Sequence, residues 1–223
     1  MEEHIVRIIE TGNITHDVKF IRVKKPVGYS YKPGQATDVS INKEGMKDEL
    51  RAFTFTSLTD ASYLEFIIKK YPSHNGVTEA IHRLVPDDEL ILHEVFGDIS
   101  YKGKGLFIAG GAGVTPFISI LRDLNRKNEL SENKLIFANR TSSDIILAKE
   151  LDRMLGNNLI NILSDEKNPA YQYGFIEEEL LKKHISGSDT KIYLCGPPAM
   201  MENVLKHLKA IGYPEEEVVM DPV

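Results

Sequence analysis

The segment Gly105-Leu-Phe-Ile-Ala-Gly-Gly-Ala-Gly-Val-Thr-Pro116 joins an apolar run to a cluster of glycines and then to a proline. The apolar half is typical of a strand that is buried on both faces of a parallel sheet. Pro116 suits the first turn of a helix, where its missing N–H is not needed. The segment therefore predicts a strand, a tight turn and a helix, whose backbone N–H groups and helix N-terminus can hold a pyrophosphate. The alternative is a turn that is merely tight, because Pro116 replaces the third glycine of the usual dinucleotide-binding pattern and no acidic residue ends the next strand.

The chain beyond this segment repeats the alternation of strand and helix. The predicted pairs are 105–109 with 116–127, 134–139 with 145–155, 159–164 with 176–184, and 191–194 with 198–211. Strands that alternate with helices predict a parallel sheet flanked by helices. Residues 102–223 are therefore expected to form an α/β nucleotide-binding domain.

The chain before this segment has a different pattern of apolar and turn residues. Short alternating runs at 4–10, 18–24, 35–41, 51–56, 63–70 and 89–94 are separated by turn residues such as Lys32-Pro33-Gly34 and Asn75-Gly76. Regularly spaced short strands predict a small antiparallel barrel. Residues 1–101 are expected to form this first domain, so the fold class is a β-barrel followed by an α/β domain.

Composition excludes several classes of site. The 223 residues include 27 basic and 33 acidic side chains, a net charge of −6, and a single cysteine, Cys195. One cysteine cannot form an internal disulfide, a four-cysteine iron–sulfur site or a multi-thiolate zinc site. The acidic balance argues against nucleic acid as a partner. The sequence starts without the layout of a secretory signal, and no apolar run reaches the ~20 residues of a membrane span, so we expect a cytoplasmic protein without membrane insertion.

Three further motifs carry polar groups at turns or along a short strand. Arg51-Ala-Phe-Thr-Phe-Thr-Ser57 offers a guanidinium and hydroxyls that can bind phosphate, although any half-buried strand alternates in this way. Asn75-Gly76-Val77-Thr78 precedes a predicted short helix, where a phosphate site and an ordinary N-cap at Thr78 are both open. The third motif, residues 193–200, ends a strand at Cys195-Gly196-Pro197, and a lone cysteine is commonly a small buried apolar group.

Taken in order, these motifs resemble those of the ferredoxin–NADP⁺ reductase superfamily, from about residue 4 to about residue 212. The segments that carry the resemblance are Lys32–Gln35, Arg51–Ser57, Gly76–Thr78, Gly110–Pro116 and Cys195–Pro197. The resemblance implies a barrel that binds FAD and a second domain that binds NADH or NADPH. It does not include an iron–sulfur domain.

The resemblance also implies roles for individual residues. Arg51 and the Gly76-Val77-Thr78 turn would hold the flavin pyrophosphate, Thr54 would donate a hydrogen bond near flavin N5, and Cys195 would lie beside the nicotinamide. Thr54 and Cys195 are thus the candidate catalytic residues. The remaining implied cofactor contacts are Phe53, Ser57, Ile67, Lys69, Gly111, Gly113, Thr115, Pro116, Arg140, Ser164, Asp165, Gly196 and Pro197.

Several positions depart from the pattern of the superfamily. Phe53 replaces a tyrosine and loses its hydroxyl, while Thr54 replaces a serine and keeps a donor. The segment Glu94–Gly97 stands where Gly-Pro-x-Gly is common. The sequence ends at Asp221-Pro222-Val223 without an aromatic residue, so we expect the nicotinamide to meet less competition for the flavin ring.

The choice of nucleotide depends on Ser164-Asp165-Glu166-Lys167, where superfamily members that prefer NADPH commonly have an arginine after the serine. Two carboxylates repel a 2′-phosphate, whereas Asp165 can accept a hydrogen bond from a free 2′-hydroxyl, so the sequence favours NADH. An acidic surface loop, or a phosphate contact from Lys167 or Arg140, remains the alternative.

The implied function is transfer of hydride from NAD(P)H to FAD and then of electrons to a separate acceptor, with ferredoxin or flavodoxin expected first. An acidic carrier would meet a basic patch, for which the candidates are Arg22, Lys24, Lys25, Lys69 and Lys70, although a solvated surface is the simpler interpretation. The alternatives are a reductase of free flavin, ferric chelates or an oxygenase component, and a catalytically silent nucleotide-sensing subunit.

Overall fold

The first half of the chain forms an antiparallel six-stranded barrel in a computed structural model that describes residues 3–71, 76–185, 187 and 189–221. Its strands are β1 (His4–Asn13), β2 (Val18–Lys24), β3 (Ala36–Ile41), β4 (Arg51–Thr54), β5 (Tyr63–Lys69) and β6 (Glu89–Phe96), and a short helix, α1 (Val77–His82), lies between β5 and β6. The strand order is β4-β3-β6-β1-β2-β5. A bridge between Phe55 and Phe66 brings the segment after β4 against β5 and so closes the barrel.

Alternation along these strands explains the barrel core. Side chains at alternate positions, such as Val39, Leu64 and Leu90, are fully buried in one apolar cluster. Phe55 fills the centre and stacks on Tyr31 with 4.2 Å between ring centroids.

The second half forms a six-stranded parallel sheet with helices on both faces. Its elements are β7 (Gly105–Gly110), α2 (Thr115–Arg126), β8 (Lys134–Asn139), α3 (Ala148–Leu155), β9 (Leu159–Leu163), β10 (Gln172–Tyr173), α4 (Glu178–His184), β11 (Lys191–Cys195), α5 (Pro198–Ala210) and β12 (Val218–Val219). The strand order is β10-β9-β8-β7-β11-β12. Phe107 and its neighbours on one face pack against α2 and α3, and Leu106 and its neighbours pack against α4 and α5. Both faces of β7 are therefore buried, as its apolar run predicted.

The two sheets share apolar packing. Val18, Ile67 and Ile99 belong to the same buried cluster as Phe107 and Phe117 of the parallel sheet and α2. The expected division at residues 101 and 102 falls between β6 and β7 and remains a prediction. No helix among the described residues is long and apolar enough to cross a bilayer.

Most predicted elements are present within a few residues of their expected ends, and the differences have local causes. Helix α1 is capped by Gly76, so an N-cap at Thr78 was wrong. Helix α3 begins at Ala148 and not at 145, because Leu147 adopts a left-handed conformation with φ of +52° after a short 3₁₀ turn. The two-residue strands β10 and β12 were not predicted, since so short a run carries no periodic signal.

Candidate nucleotide and flavin site

The glycine-rich segment after β7 forms a compact turn against the Cys195 turn. Residues 111–114 make one 3₁₀ turn that runs directly into α2, and Gly111 has a φ of +51°, which favours glycine. A Cβ at Gly113 would overlap the carbonyl group of Cys195. The glycines therefore bring two strand ends into backbone contact as well as leaving room for a ligand.

A cleft of about 910 Å³ opens at the carboxyl ends of the parallel strands. Binding sites in open parallel sheets lie at this edge. Seven of the residues predicted from the sequence line it: Lys69, Gly111, Gly113, Arg140, Ser164, Gly196 and Pro197. Lys69 and Tyr71 come from the barrel side, so both domains contribute to the wall.

Asn139 places a buried donor at the wall of the cleft. It ends β8 at the wall of the cleft, and its Nδ2 is buried with no hydrogen-bond partner among the described residues. Buried donors in native proteins are almost always satisfied. A phosphate or ribose oxygen in the cleft would satisfy this one, which fits a bound nucleotide.

Polar contacts fix the rim of the cleft around Asp165. Arg140 Nε lies 2.7 Å from Asp165 Oδ2, and Ser164 Oγ donates to Asp165 Oδ1 at 2.7 Å. The hydrogen bonds from Ser164 and Arg140 lower the pKa of Asp165. Glu166 turns away and accepts hydrogen bonds from the backbone N–H and the hydroxyl of Ser142. Asp165 is thus left accessible beside Ser164 and Arg140, which line the cleft.

The proposed flavin side is an open face of the barrel. Ala36 lies opposite both Thr54 and Phe96 across antiparallel strands, so the three side chains share one face. Phe96 is 42% exposed, and the Thr54 hydroxyl makes no hydrogen bond within the described residues. An apolar face with one free donor fits the plane of a flavin ring.

Arg51 lies on the same strand as Thr54 and remains accessible. Its guanidinium side chain is half-exposed, with Nη1 donating to Leu50 O at 2.6 Å and Nη2 at 3.8 Å from Glu49. Phe53 packs partly against the barrel core. Gly76 and Thr78 begin α1, and the side chain of Val77 is buried in the barrel. Asn75 lies outside the described residues, as do Pro222 and Val223.

Other predicted site residues have their side chains engaged inside the protein. The Ser57 hydroxyl accepts the backbone N–H of Glu65 at 3.0 Å and pairs with the Tyr31 hydroxyl. Thr115 Oγ1 donates to Ala112 O. Ile67 is 5% exposed in the cluster shared by the two sheets, and Pro116 is buried at the start of α2. These residues support the shape of the site, and their direct contact with a cofactor remains a prediction.

Cys195 ends β11 beside the glycine-rich turn. Burial, with a contribution from the negative charge of Asp221, raises the pKa of its thiol to about 12. Asp221 also accepts the backbone N–H of Asp98 just after β6, at 3.0 Å. The thiol is therefore protonated at neutral pH and is not activated as a nucleophile.

Three of the five cations suggested for an acidic partner are engaged in contacts within the chain. Arg22 pairs with Glu10 and Glu65, Lys69 lies 3.0 Å from Asp17, and Lys25 Nζ donates to Thr59 O. They are therefore not a patch of unpaired charge.

Sequence reasoning missed several residues of the site. Phe175, which is 74% exposed, and Tyr71 line the cleft, and Asp221 approaches Cys195 from the end of the chain. Phe175 follows a glycine beside the short strand β10 and carries no distinctive spacing. The only signal in the sequence is an aromatic residue directly after a glycine, Gly174-Phe175.

Comparison with known proteins places these features in a family. A family model described as the oxidoreductase NAD-binding domain matches residues 107–206. NADH-cytochrome b5 reductase 1 of Neosartorya fischeri is 30% identical over 92% of this chain and 73% of its own length. The chain belongs to the ferredoxin–NADP⁺ reductase superfamily.

Two further comparisons agree with membership in this superfamily. The reductase component of propane 2-monooxygenase from Rhodococcus jostii is 28% identical over 96% of this chain, which spans 62% of that relative. The crystal structure of a ferredoxin NADP⁺ reductase from Neisseria gonorrhoeae with bound FAD and NADP superposes with a TM-score of 0.84 at 19% identity, and covers 99% of this chain and 98% of that one. The expected fold, the class of enzyme and the cofactors, FAD with NADH or NADPH, are confirmed at the level of the superfamily.

Proposed function

We propose that this protein oxidises NADH through a bound FAD and delivers the electrons to a separate acceptor. The observation that carries the proposal is the cleft of about 910 Å³, where the turns at Gly111 and Gly196 meet Lys69 of the barrel. A cleft walled by both domains supports binding of a nucleotide on the parallel sheet next to the barrel, where the flavin is proposed to bind. FAD, when bound, accepts hydride and releases electrons one at a time.

The residues of this chain bind and orient both cofactors. Arg51, with the backbone at Gly76 and Val77 and the hydroxyl of Thr78, holds the flavin pyrophosphate, because a guanidinium recognises phosphate oxygens with two parallel hydrogen bonds. The Thr54 hydroxyl donates to the flavin edge. The backbone of Gly111 and Gly113 and the start of α2 hold the nucleotide pyrophosphate.

Cys195 and the turn Gly196-Pro197 form the wall against the nicotinamide. The thiol keeps its proton, since its pKa is raised to about 12. An uncharged wall excludes water from the reacting edge without offering a competing nucleophile.

The rim of the cleft supports a preference for NADH. Arg140 lines the cleft and is already paired with Asp165 at 2.7 Å, so binding a 2′-phosphate would have to compete with this pair. The same carboxylate accepts a hydrogen bond from a free 2′-hydroxyl. Asp165 therefore favours NADH in two ways, because its carboxylate attracts the 2′-hydroxyl of NADH and repels the 2′-phosphate of NADPH.

The acceptor is expected to be a small electron carrier such as ferredoxin or flavodoxin. A separate protein acceptor agrees with the names of the relatives, which refer to cytochrome b5 and to propane 2-monooxygenase. The second of these names favours an oxygenase component as the alternative acceptor. Free flavin and ferric chelates are the small-molecule alternatives.

The test is anaerobic addition of NADH to the purified, FAD-loaded protein. Bleaching of the flavin absorbance is expected, and a flavin that stays oxidised with both NADH and NADPH would identify a catalytically silent subunit. Steady-state turnover with ferredoxin, flavodoxin, cytochrome b5, ferric chelates and free flavin then ranks the acceptors by kcat/KM. Highest kcat/KM with free flavin would overturn the assignment of a protein acceptor.

A further inference from the structure

One face of α2 contacts the barrel through hydrogen bonds and ion pairs of three side chains spaced along the helix. Ser119, Arg122 and Arg126 are three and four residues apart and therefore lie on the same side of the helix. Gly34 N–H donates to Ser119 Oγ at 3.0 Å, and Arg126 reaches Asp60 at 2.5 Å. Arg122 lies between these two contacts and makes the most extensive set.

The Arg122 guanidinium binds three elements at once. Its Nη1 donates to Thr56 O and to Glu65 Oε1, both at 2.7 Å. Its Nε and Nη2 bind the two carboxylate oxygens of Glu150, just inside α3, at 2.6 and 2.9 Å. The barrel, α2 and α3 are thus joined through a single side chain, which is 18% exposed.

Glu65 is the buried partner on the barrel side. Its side chain is 4% exposed, and it also accepts hydrogen bonds from Arg22 Nε and Thr56 Oγ1. Burial alone would raise the pKa of Glu65, but Arg122, Arg22 and Thr56 together lower it, so the carboxylate is charged. A buried carboxylate is stable only when its charge is paired and hydrogen-bonded, so the contact between Glu65 and Arg122 has a fixed geometry.

The position of Arg122 connects the two segments that face the cofactors. It lies seven residues after Thr115, on the helix that starts at the nucleotide turn. Its acceptor Thr56 lies two residues after Thr54, whose hydroxyl has no hydrogen-bond partner in the described part of the chain. A shift of Arg122 relative to Thr56 would therefore move the nucleotide turn relative to the flavin-facing strand.

We propose that Arg122 is a positioning residue that sets the distance between nicotinamide and flavin by locking α2 onto the Thr56 carbonyl and Glu65. This proposal rests on the proposed function. An arginine is needed because its planar fork satisfies four acceptors at fixed angles, which a lysine cannot do. Arg126 makes an exposed ion pair with Asp60. Because water and salt screen this pair, Arg126 contributes little to the position of α2 on the barrel.

The test compares Arg122→Met with the matched control Arg126→Met, which removes an arginine from the same helix face one turn later. At saturating NADH, Arg122→Met is expected to slow anaerobic flavin reduction by at least about tenfold, since small displacements of reacting groups cost rate steeply. The Kd for NADH and the FAD content are expected to stay within about threefold, because neither cofactor contacts Arg122 in this assignment. Arg126→Met is expected to match the parent, and Arg122→Lys to fall between the two.

A second readout needs neither FAD nor NADH. In the flavin-free protein, amide hydrogen exchange of residues 31–36 and 54–60 is expected to speed up in Arg122→Met and to be unchanged in Arg126→Met, because only the first variant removes the contacts of α2 with Thr56 and Glu65 and so loosens its packing on the barrel. If Arg122→Met does not fold, the double variant Glu65→Leu, Arg122→Met removes the buried charge together with its partner and replaces both by apolar groups.

The outcomes separate this proposal from the proposed function. Parental rates of flavin reduction in Arg122→Met, or in the double variant, would overturn the positioning role, as would unchanged exchange of both segments. If the parent itself fails to reduce its flavin with either nucleotide, the proposed function fails. The exchange experiment then decides independently whether Arg122 locks the domains.

Discussion

The Arg140 guanidinium and the Asp165 carboxylate form an ion pair at the rim of the nucleotide cleft, with Nε 2.7 Å from Oδ2. Ser164 Oγ holds the other carboxylate oxygen at 2.7 Å. The pair joins the ends of two neighbouring parallel strands, β8 and β9. One acidic side chain therefore pairs with the local cation and stays exposed to solvent next to the cleft.

Asp165→Ser is expected to shift the nucleotide preference towards NADPH. The substitution releases Arg140 and removes the repulsion of a 2′-phosphate, so the ratio of kcat/KM for NADPH to that for NADH should rise by about tenfold or more. Steady-state kinetics with both nucleotides measure the ratio. Adding Arg140→Ala to Asp165→Ser should abolish the gain, and a parent with tenfold higher kcat/KM for NADPH would contradict the assignment.

Arg51→Ala is expected to weaken FAD binding. Loss of a guanidinium contact to pyrophosphate should raise the Kd for FAD by about tenfold or more, because charge-assisted bidentate contacts are the strong ones. Fluorescence titration of the flavin-free protein with FAD measures this constant. Arg7→Ala, on the exposed face of β1, is the control, and undiminished affinity in Arg51→Ala would remove the assigned role.

Cys195 is expected to resist alkylation in the folded protein. With a pKa raised to about 12, the thiol at pH 8 contains about 10⁻⁴ of the reactive thiolate, so iodoacetamide should react about a thousand times more slowly than with an ordinary exposed cysteine. Mass spectrometry of timed samples gives the rate, and denaturant should restore it. Asp221→Asn removes a negative charge that raises the pKa of Cys195, so this variant should react faster. A rapid reaction in the parent would show that the thiol is not buried.

Lys19→Met is expected to destabilise the barrel. The Lys19 ammonium is buried and donates to His82 O at 3.0 Å and to Leu84 O at 2.7 Å, at the end of α1. Removing these contacts leaves two carbonyls without their charged donor, so the free energy of unfolding should fall by about 2 kcal/mol. Urea denaturation measures it, and Lys24→Met, at an exposed position of the same strand, should leave the midpoint unchanged.

Elements and turns followed closely from the sequence because their signals are local. The apolar run before Gly110 and the proline at 116 fixed the strand and the start of α2. Gly212 follows the last turn of α5 with a φ of +83°, a conformation that glycine favours at the end of a helix. The start of α3 was misplaced because the left-handed Leu147 leaves no mark in the pattern of apolar residues.

The site was predicted in part, for a related reason. The residue patterns of the motifs identified the turns at Gly111 and Gly196, and both turns line the same cleft in the structure. The motifs named Asp165 as a nucleotide contact, but they did not show that Asp165 pairs with Arg140 while Glu166 binds Ser142. The partners of a carboxylate depend on rotamers and on loops that meet in space, neither of which the order of residues displays.

By itself, the sequence of this protein determined the longer strands and helices, the glycines that permit close turns and the separate motifs that mark the superfamily, because each of these signals is carried by residues within a few positions of one another. The tertiary structure alone decided that Arg122 meets Glu65, 57 positions away, and that Asp221 meets Asp98, 123 positions away. Such contacts form only when two separately folded sheets pack together, since burial and charge pairing then select one partner among many of the same type.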